Sequence, residues 1–266
     1  MISALRLRLF RDFTEGMAAA KRPAPTTSVQ DVAAYILSKT GTTTAMKLQK
    51  LVYYAQAWHL VVKRGPLFRD AVRAWEQGPV VYSLYTKHKT MRNVGGWPWG
   101  DASHISRDDA ALLDAVIGIY GNMTPEQLSE LTHREDPWSK TPHGRADGEI
   151  ASQEIPHSVM IRYYAPRKME IVGKAYSNGS LPVRHVATIL ESNRSDAMAM
   201  LEEHNYYMSE DAIRLTEERR KEIDAKIRAD RLRRAGKREV SDERIARSVI
   251  ATQRIEGVDA RSWYKG

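Results

Sequence analysis

Cysteine is absent from this chain of 266 residues. That excludes a disulfide framework, a thiol nucleophile and sulfur-based zinc sites, and it fits a reducing cytoplasm. No apolar run approaches the roughly 18–20 residues that a membrane span needs. The opening residues, MISALRLRLFRDF, lack the long apolar centre and cleavage site of a secretory signal. They read as a frayed tail, or as sequence ahead of a true start at Met17. No glycine-rich phosphate loop is present, since Gly95-Gly96 followed by tryptophan is not one. The histidines are scattered, without the i, i+4 pair or compact cluster of a zinc site. There is no internal repeat and no low-complexity tract. Catalytic, metal and cofactor sites are therefore expected to be lacking, and the question moves from chemistry to partner.

What is present is charge and aromatic surface. The net charge is +8, from 41 Lys and Arg against 33 Asp and Glu. Such a balance permits contact with nucleic acid or with an acidic protein. The excess is concentrated over 219–238, where Glu222, Asp224 and Asp230 are the only acids. The length allows one large domain or two small ones.

Hydrophobic periodicity and caps divide the chain. Residues 1–27 read as a tail and Pro-containing linker. Ser28 caps a helix with Asp31 at the capping-box position and Gly41 as its stop. Thr44 caps a second helix, on which Leu48, Leu51, Val52, Ala55, Trp58 and Val62 recur at helical spacing; Tyr53, Tyr54 and His59 lie beside that stripe. Residues 71–76 read as a short strand. Gly78-Pro79 reads as a turn with Pro79 opening another helix, and 92–104 as a loop. Ser106 and Thr124 begin two further helices, the second with Pro125 at its first position and Gln127 completing a capping box. A polar loop pinned by Trp138 and a helix near 158–168 follow. Beyond a boundary near 168–178 the chain reads as a helix pair over 181–204 with Ser195 as the second N-cap, a basic helix over 217–234, and a terminal helix over 241–257 capped by Ser241.

The segments KLQKLVYYAQAWHL, GPLF, AWEQGPVVYSLY, IYGNMTPEQLSELTHREDPW and IRYY stand in an order and spacing that resembles the Panacea domain, a family of small antitoxin domains that includes SocA-like adaptors and phage-associated proteins. The resemblance spans about 28–168. It implies a mainly α fold: a compact helical domain with a small β element, followed here by a helical extension over 169–266. It also implies an antitoxin without catalytic activity or cofactor, which neutralises a co-encoded protein toxin by direct binding. Among the residues at motif positions, Leu48, Leu51, Trp58, Trp75 and Val80 read as core. Lys50, Tyr53 and Tyr85 are the candidates for a partner-facing patch, because tyrosine buries much area yet keeps a polar atom. Thr132, His133 and Glu135 are close in sequence, but no oxyanion site is legible nearby, and His133 reads as ordering the loop to Trp138.

The extension carries two further candidates. The pair over 181–204 is similar to the helix-turn-helix of some other antitoxins, although Asp196, Glu202 and Glu203 on its second helix would repel phosphate; a packing or dimerising pair is the alternative. Arg228, Arg231, Arg233 and Arg234 are the candidate phosphate contacts, or else a solvated helix face. The run Thr252 to Gly257 is similar to the inhibitory helix motif of Fic-regulating antitoxins, which makes Glu256 a candidate contact; the alternative is an ordinary helix end. Two rival functions stand beside neutralisation: a DNA-binding autorepressor acting through the extension, and an adaptor that delivers a toxin to a protease. Oligomeric state and the identity of the toxin are open.

Overall fold

The computed structural model describes residues 27–144 and 153–255, with side chains described except at Arg219 and over 235–255. The fold is mainly α, with two small two-stranded sheets among the described residues. Contacts divide the chain into two units, with the break between Ser209 and Glu210.

The first unit is built around one helix. Helix α1 (Val29–Thr40) begins where the Ser28 side chain accepts from the Asp31 N–H and ends at Gly41. Strand β1 (Thr43–Thr44) leads into α2 (Ala45–Val62), whose N-cap Thr44 accepts from the Lys47 N–H. Almost every residue of α2 is buried, Tyr53 and Tyr54 included. The expected amphipathic stripe is thus a wholly enclosed helix, covered by α1, by the hairpin β2 (Val72–Trp75) and β3 (Gly78–Val81), and by helices further along the chain. After α3 (Tyr82–His88), strand β4 (Asn93–Val94) pairs antiparallel with β1. Helices α4 (Arg107–Tyr120), α5 (Pro125–Arg134), α6 (Asp136–Ser139) and α7 (His157–Tyr164) complete the wall around α2.

Three local expectations are corrected. Pro79 opens no helix: Gly78 and Pro79 lie in β3, and α3 starts at Tyr82. β3 is an edge strand and Pro79 pairs with Ala74. A proline is tolerated there because its missing N–H points away from the ladder. The loop over 92–104 contributes β4 and one 3-10 turn, Ala102–His104. The loop beyond Glu135 includes α6, fixed as expected by Trp138, whose indole N–H donates to the Trp75 carbonyl at 2.8 Å.

The compact unit continues past 168. Helices α8 (Lys168–Ser177), α9 (Val183–Ile189) and α10 (Arg194–Glu203) follow, and α8 and α9 pack on α4. Val172, Tyr176, Leu181, Val186, Ile189 and Leu201 join the same core. Gly173 lies where any Cβ would collide with the Tyr206 ring, so the chain after α10 folds back tightly over α8. Asn193, not Ser195, is the N-cap of α10 and accepts from the Asp196 N–H at 2.9 Å. Asparagine caps as well as serine does, and it stands where the chain is still extended.

The second unit contains α11 (Glu210–Ile255), one helix of 46 residues. The expected break between 234 and 241 is absent. A lone Gly236 costs about 1 kcal/mol in a helix interior, too little to stop one flanked by Arg, Lys and Glu.

Candidate functional site

The interior polar groups decide which residues are left for function. Three polar side chains of α2 point into the core and satisfy main-chain groups there, Gln49 and Lys50 on the hairpin and Gln56 on the loop at Leu67 and Phe68. The Gln49 amide donates to the Val81 carbonyl at 3.3 Å, and its oxygen accepts from the Val81 N–H at 2.9 Å. Lys50 donates to the carbonyls of Gln77 at 2.6 Å and Pro79 at 3.2 Å. Gln56 donates to the Phe68 carbonyl and accepts from the N–H groups of Leu67 and Phe68. Burying a polar group without such a partner costs about 1–3 kcal/mol, so these pairings are what allow α2 to be enclosed.

Lys50 is therefore not on a partner-facing patch. It is 1% exposed, and no carboxylate reaches it among the described residues. Burial brings its ammonium down to about 7. Gly78 makes the space: φ is +98°, and a Cβ there would lie 2.6 Å from the Lys50 nitrogen and 3.0 Å from the Thr132 hydroxyl. The motif residues Lys50, Gly78, Pro79 and Thr132 form one packed joint.

Tyr53 is also corrected, being fully buried. Tyr54 and Tyr164 both donate to Glu135 Oε2, at 3.1 and 2.5 Å, and Tyr53 meets the Tyr164 hydroxyl at 3.1 Å. Tyr120 stacks on Tyr54 at 3.8 Å and accepts from the Trp58 indole at 3.1 Å. Burial pushes the Glu135 carboxyl up to about 7, while the two phenols pull the other way. Burial and the nearby Glu135 charge hold the phenols of Tyr53 and Tyr54 well above the ordinary tyrosine value. Glu135 thereby ties α2 to α7 at the α5–α6 junction. His133 stacks on Trp138 at 3.9 Å, and His143 stacks on Trp138 at 3.8 Å. Thr132, fully buried, spends its hydroxyl on the Ser129 carbonyl. No hydroxyl–imidazole–carboxylate relay joins these three neighbours.

The surface candidates lie on α3 and the following loop. Tyr85, half-buried, packs edge-on against Trp75 at 4.7 Å. Around it runs a continuous series of rings: Tyr82, Trp75, Tyr85, His88, Trp97 and Trp99. Tyr82 is 53% exposed, Met91 43% and Trp99 39%. The Lys87 ammonium sits 5.9 Å above the Trp99 ring. His88 anchors the inner side, its ring nitrogen 2.9 Å from the Gln49 amide, and the Trp97 indole donates to Gln30 at 2.9 Å. Tyr82, Trp99 and Lys87 escape the sequence reading. Their signal is the run 77–100, which carries Lys87, Lys89 and Arg92 but no acid.

On α11, Arg228, Arg231, Arg233 and Arg234 are exposed, and Asp230 pairs with Arg234 at 2.9 Å and Arg233 at 3.8 Å. Helix α10 buries Ala197 and Leu201 and exposes Asp196, Glu202 and Glu203, an acidic face unsuited to a phosphate backbone. Glu256 lies outside the described residues, as does any start at Met17. Among the described residues no group of three or more His, Asp or Glu is placed to hold a metal ion. Likewise among them, no helix is long and apolar enough to cross a membrane.

Residues 48–139 match the family model for the antitoxin SocA-like, Panacea domain. The chain carries a Panacea domain. The match lies inside the 28–168 expected from the motifs, and it holds α2 from Leu48 onward, the hairpin, the aromatic series and Glu135. No curated protein and no solved structure matches the chain. A match to an antitoxin domain implies, in general terms, a toxin as the partner of that domain.

Proposed function

We propose that this protein is the antitoxin of a bacterial or phage two-gene system, acting in the cytoplasm by binding a co-encoded protein toxin directly. The observation that carries this reading is the Panacea match over 48–139. The commitment of Lys50, Thr132 and Glu135 to internal bonds supports a binding role, because it leaves these groups no reacting partner. Neutralisation is steric: the toxin is held in a stable complex, with no turnover and no cofactor.

Expressing the neighbouring gene alone and with this chain tests the reading. Growth arrest by the neighbour, relieved by co-expression with the two proteins co-purifying, is the expected result. Arrest that persists sinks it. Relief accompanied by rapid loss of the neighbour's product indicates a proteolysis adaptor instead.

An autorepressor is the second reading, favoured by the exposed arginines Arg228 and Arg231 on α11. It predicts retention of the full chain on its own promoter, falling steeply with salt. The Arg228→Glu/Arg231→Glu variant would then lose retention.

A further inference from the structure

The aromatic series on α3 and the loop to Trp99 is larger than packing requires. Its inner members, Trp75 and Trp97, are buried, but Tyr82, Met91 and Trp99 are exposed, and each large exposed ring leaves apolar area in water. Among the described residues Lys87 and Lys89 form no ion pair, and Glu76 and Asp101 flank the segment that carries them. From 77 to 100 the chain contains Lys87, Lys89 and Arg92 and no Asp or Glu. On the hairpin side, Asp70 is engaged by the Ser83 hydroxyl, and Glu76 stands in the turn beside Trp75. Aromatic rings and methionine are enriched at protein interfaces, where they are surrounded by a polar rim.

Resting on the antitoxin reading, we propose that this face is where the toxin docks, and that the docked element is an acidic segment of that protein: carboxylates meet Lys87 and Lys89 while apolar side chains cover Tyr82 and Trp99. Single-stranded nucleic acid is the competing class for rings beside cations, since bases stack on open ring faces. The ring geometry favours protein. Trp97 meets Trp99 at 73°, Trp75 meets Tyr85 at 73°, and the Lys87 ammonium lies over the face of Trp99. Edge-on rings with an occupied face make side-chain pockets and not parallel stacking platforms.

The test has two arms and uses the full chain. In the first, the purified product of the neighbouring gene is titrated against wild type, Lys87→Glu/Lys89→Glu, Tyr82→Ala and Trp99→Ala, with thermal melts confirming that each variant is folded. Affinity is expected to fall at least about tenfold in the charge reversal and in each ring variant, and wild-type affinity to fall between about 50 and about 300 mM salt. Variants that bind within about twofold of wild type overturn the proposal. If wild type does not bind that product at all, the antitoxin reading fails, and the second arm decides the surface alone. There, a fluorescent Glu-Tyr copolymer and a short oligouridylate are compared as probes. Copolymer binding lost in Lys87→Glu/Lys89→Glu supports the acidic-segment assignment. Absence of copolymer binding, its persistence in the reversal, or preference for the oligouridylate overturns it.

Discussion

Glu135 and Lys50 are two ionisable side chains in one core, and their protons pull stability in opposite directions. The folded chain holds the Glu135 carboxyl at about 7 instead of 4.5. Between those values the folded state keeps a proton that the unfolded chain has released, so stability falls as pH rises from about 4.5 to about 7. Lys50 stands at about 7 instead of 10.5. Between those values the unfolded chain holds the extra proton, so stability rises with pH. Together the two groups place a minimum near neutrality, each limb a few kcal/mol deep. Denaturant titrations from about pH 5 to about pH 10 read this directly. Glu135→Gln is expected to flatten the acidic limb, and Lys50→Met the alkaline limb while lowering stability by about 1–3 kcal/mol at about pH 10, where the wild-type amine is largely neutral and the carbonyls of Gln77 and Pro79 lose their donor. Neither burial was legible in the sequence. Lys50, Tyr53 and Tyr54 are polar letters beside an apolar stripe, a pattern that ordinarily marks a solvent face. Only the carbonyls and carboxylate that receive them, distant in sequence, explain why they turn inward.

At the scale of elements, local signals were read well and non-local ones were not. Ser28, Thr44, Ser106 and Thr124 each cap the helix expected of them, and Gln127 completes its capping box, because a cap is decided within four residues. The hairpin was misread because Gly78-Pro79 carries two conflicting signals, and the one that wins depends on Ala74, Gln49 and Lys50. Gly78→Ala tests that joint. It asks alanine to adopt φ of +98° and pushes a methyl against the Lys50 ammonium, so a loss of about 2–4 kcal/mol is expected in denaturant unfolding. Gln49→Leu keeps the volume but orphans both main-chain groups of Val81. It is expected to cost about 2–5 kcal/mol, and amide exchange at Val81 should quicken before the rest of the domain.

At the scale of the whole molecule, composition placed the division too early. Falling aromatic content after 168 suggested a boundary, yet α8 to α10 supply Val172, Tyr176, Val186, Ile189 and Leu201 to the core that α4 shares. A chain ending at 168 should therefore melt at least about 10 °C below one ending at 209, since each such buried side chain contributes about 1.5–3 kcal/mol. Comparable melting of the two would place the family's folding unit within the shorter piece. The aromatic face was partly legible: Tyr85 was singled out, while Tyr82 and Trp99 were hidden in segments read as a helix start and a loop.

The clamps on the hairpin carry a consequence for evolution. Outward main-chain groups of β3 are taken by Gln49 and Lys50, and those of β2 by Gly144, Gln153 and Ile155. Strand addition along these stretches would have to displace those bonds, which favours recognition through side chains. Side chains on an exposed helix and loop are replaced one at a time without disturbing the frame beneath. On the antitoxin reading proposed above, such an architecture would let a lineage trade one adversary for another by a few surface substitutions, its scaffold inherited intact.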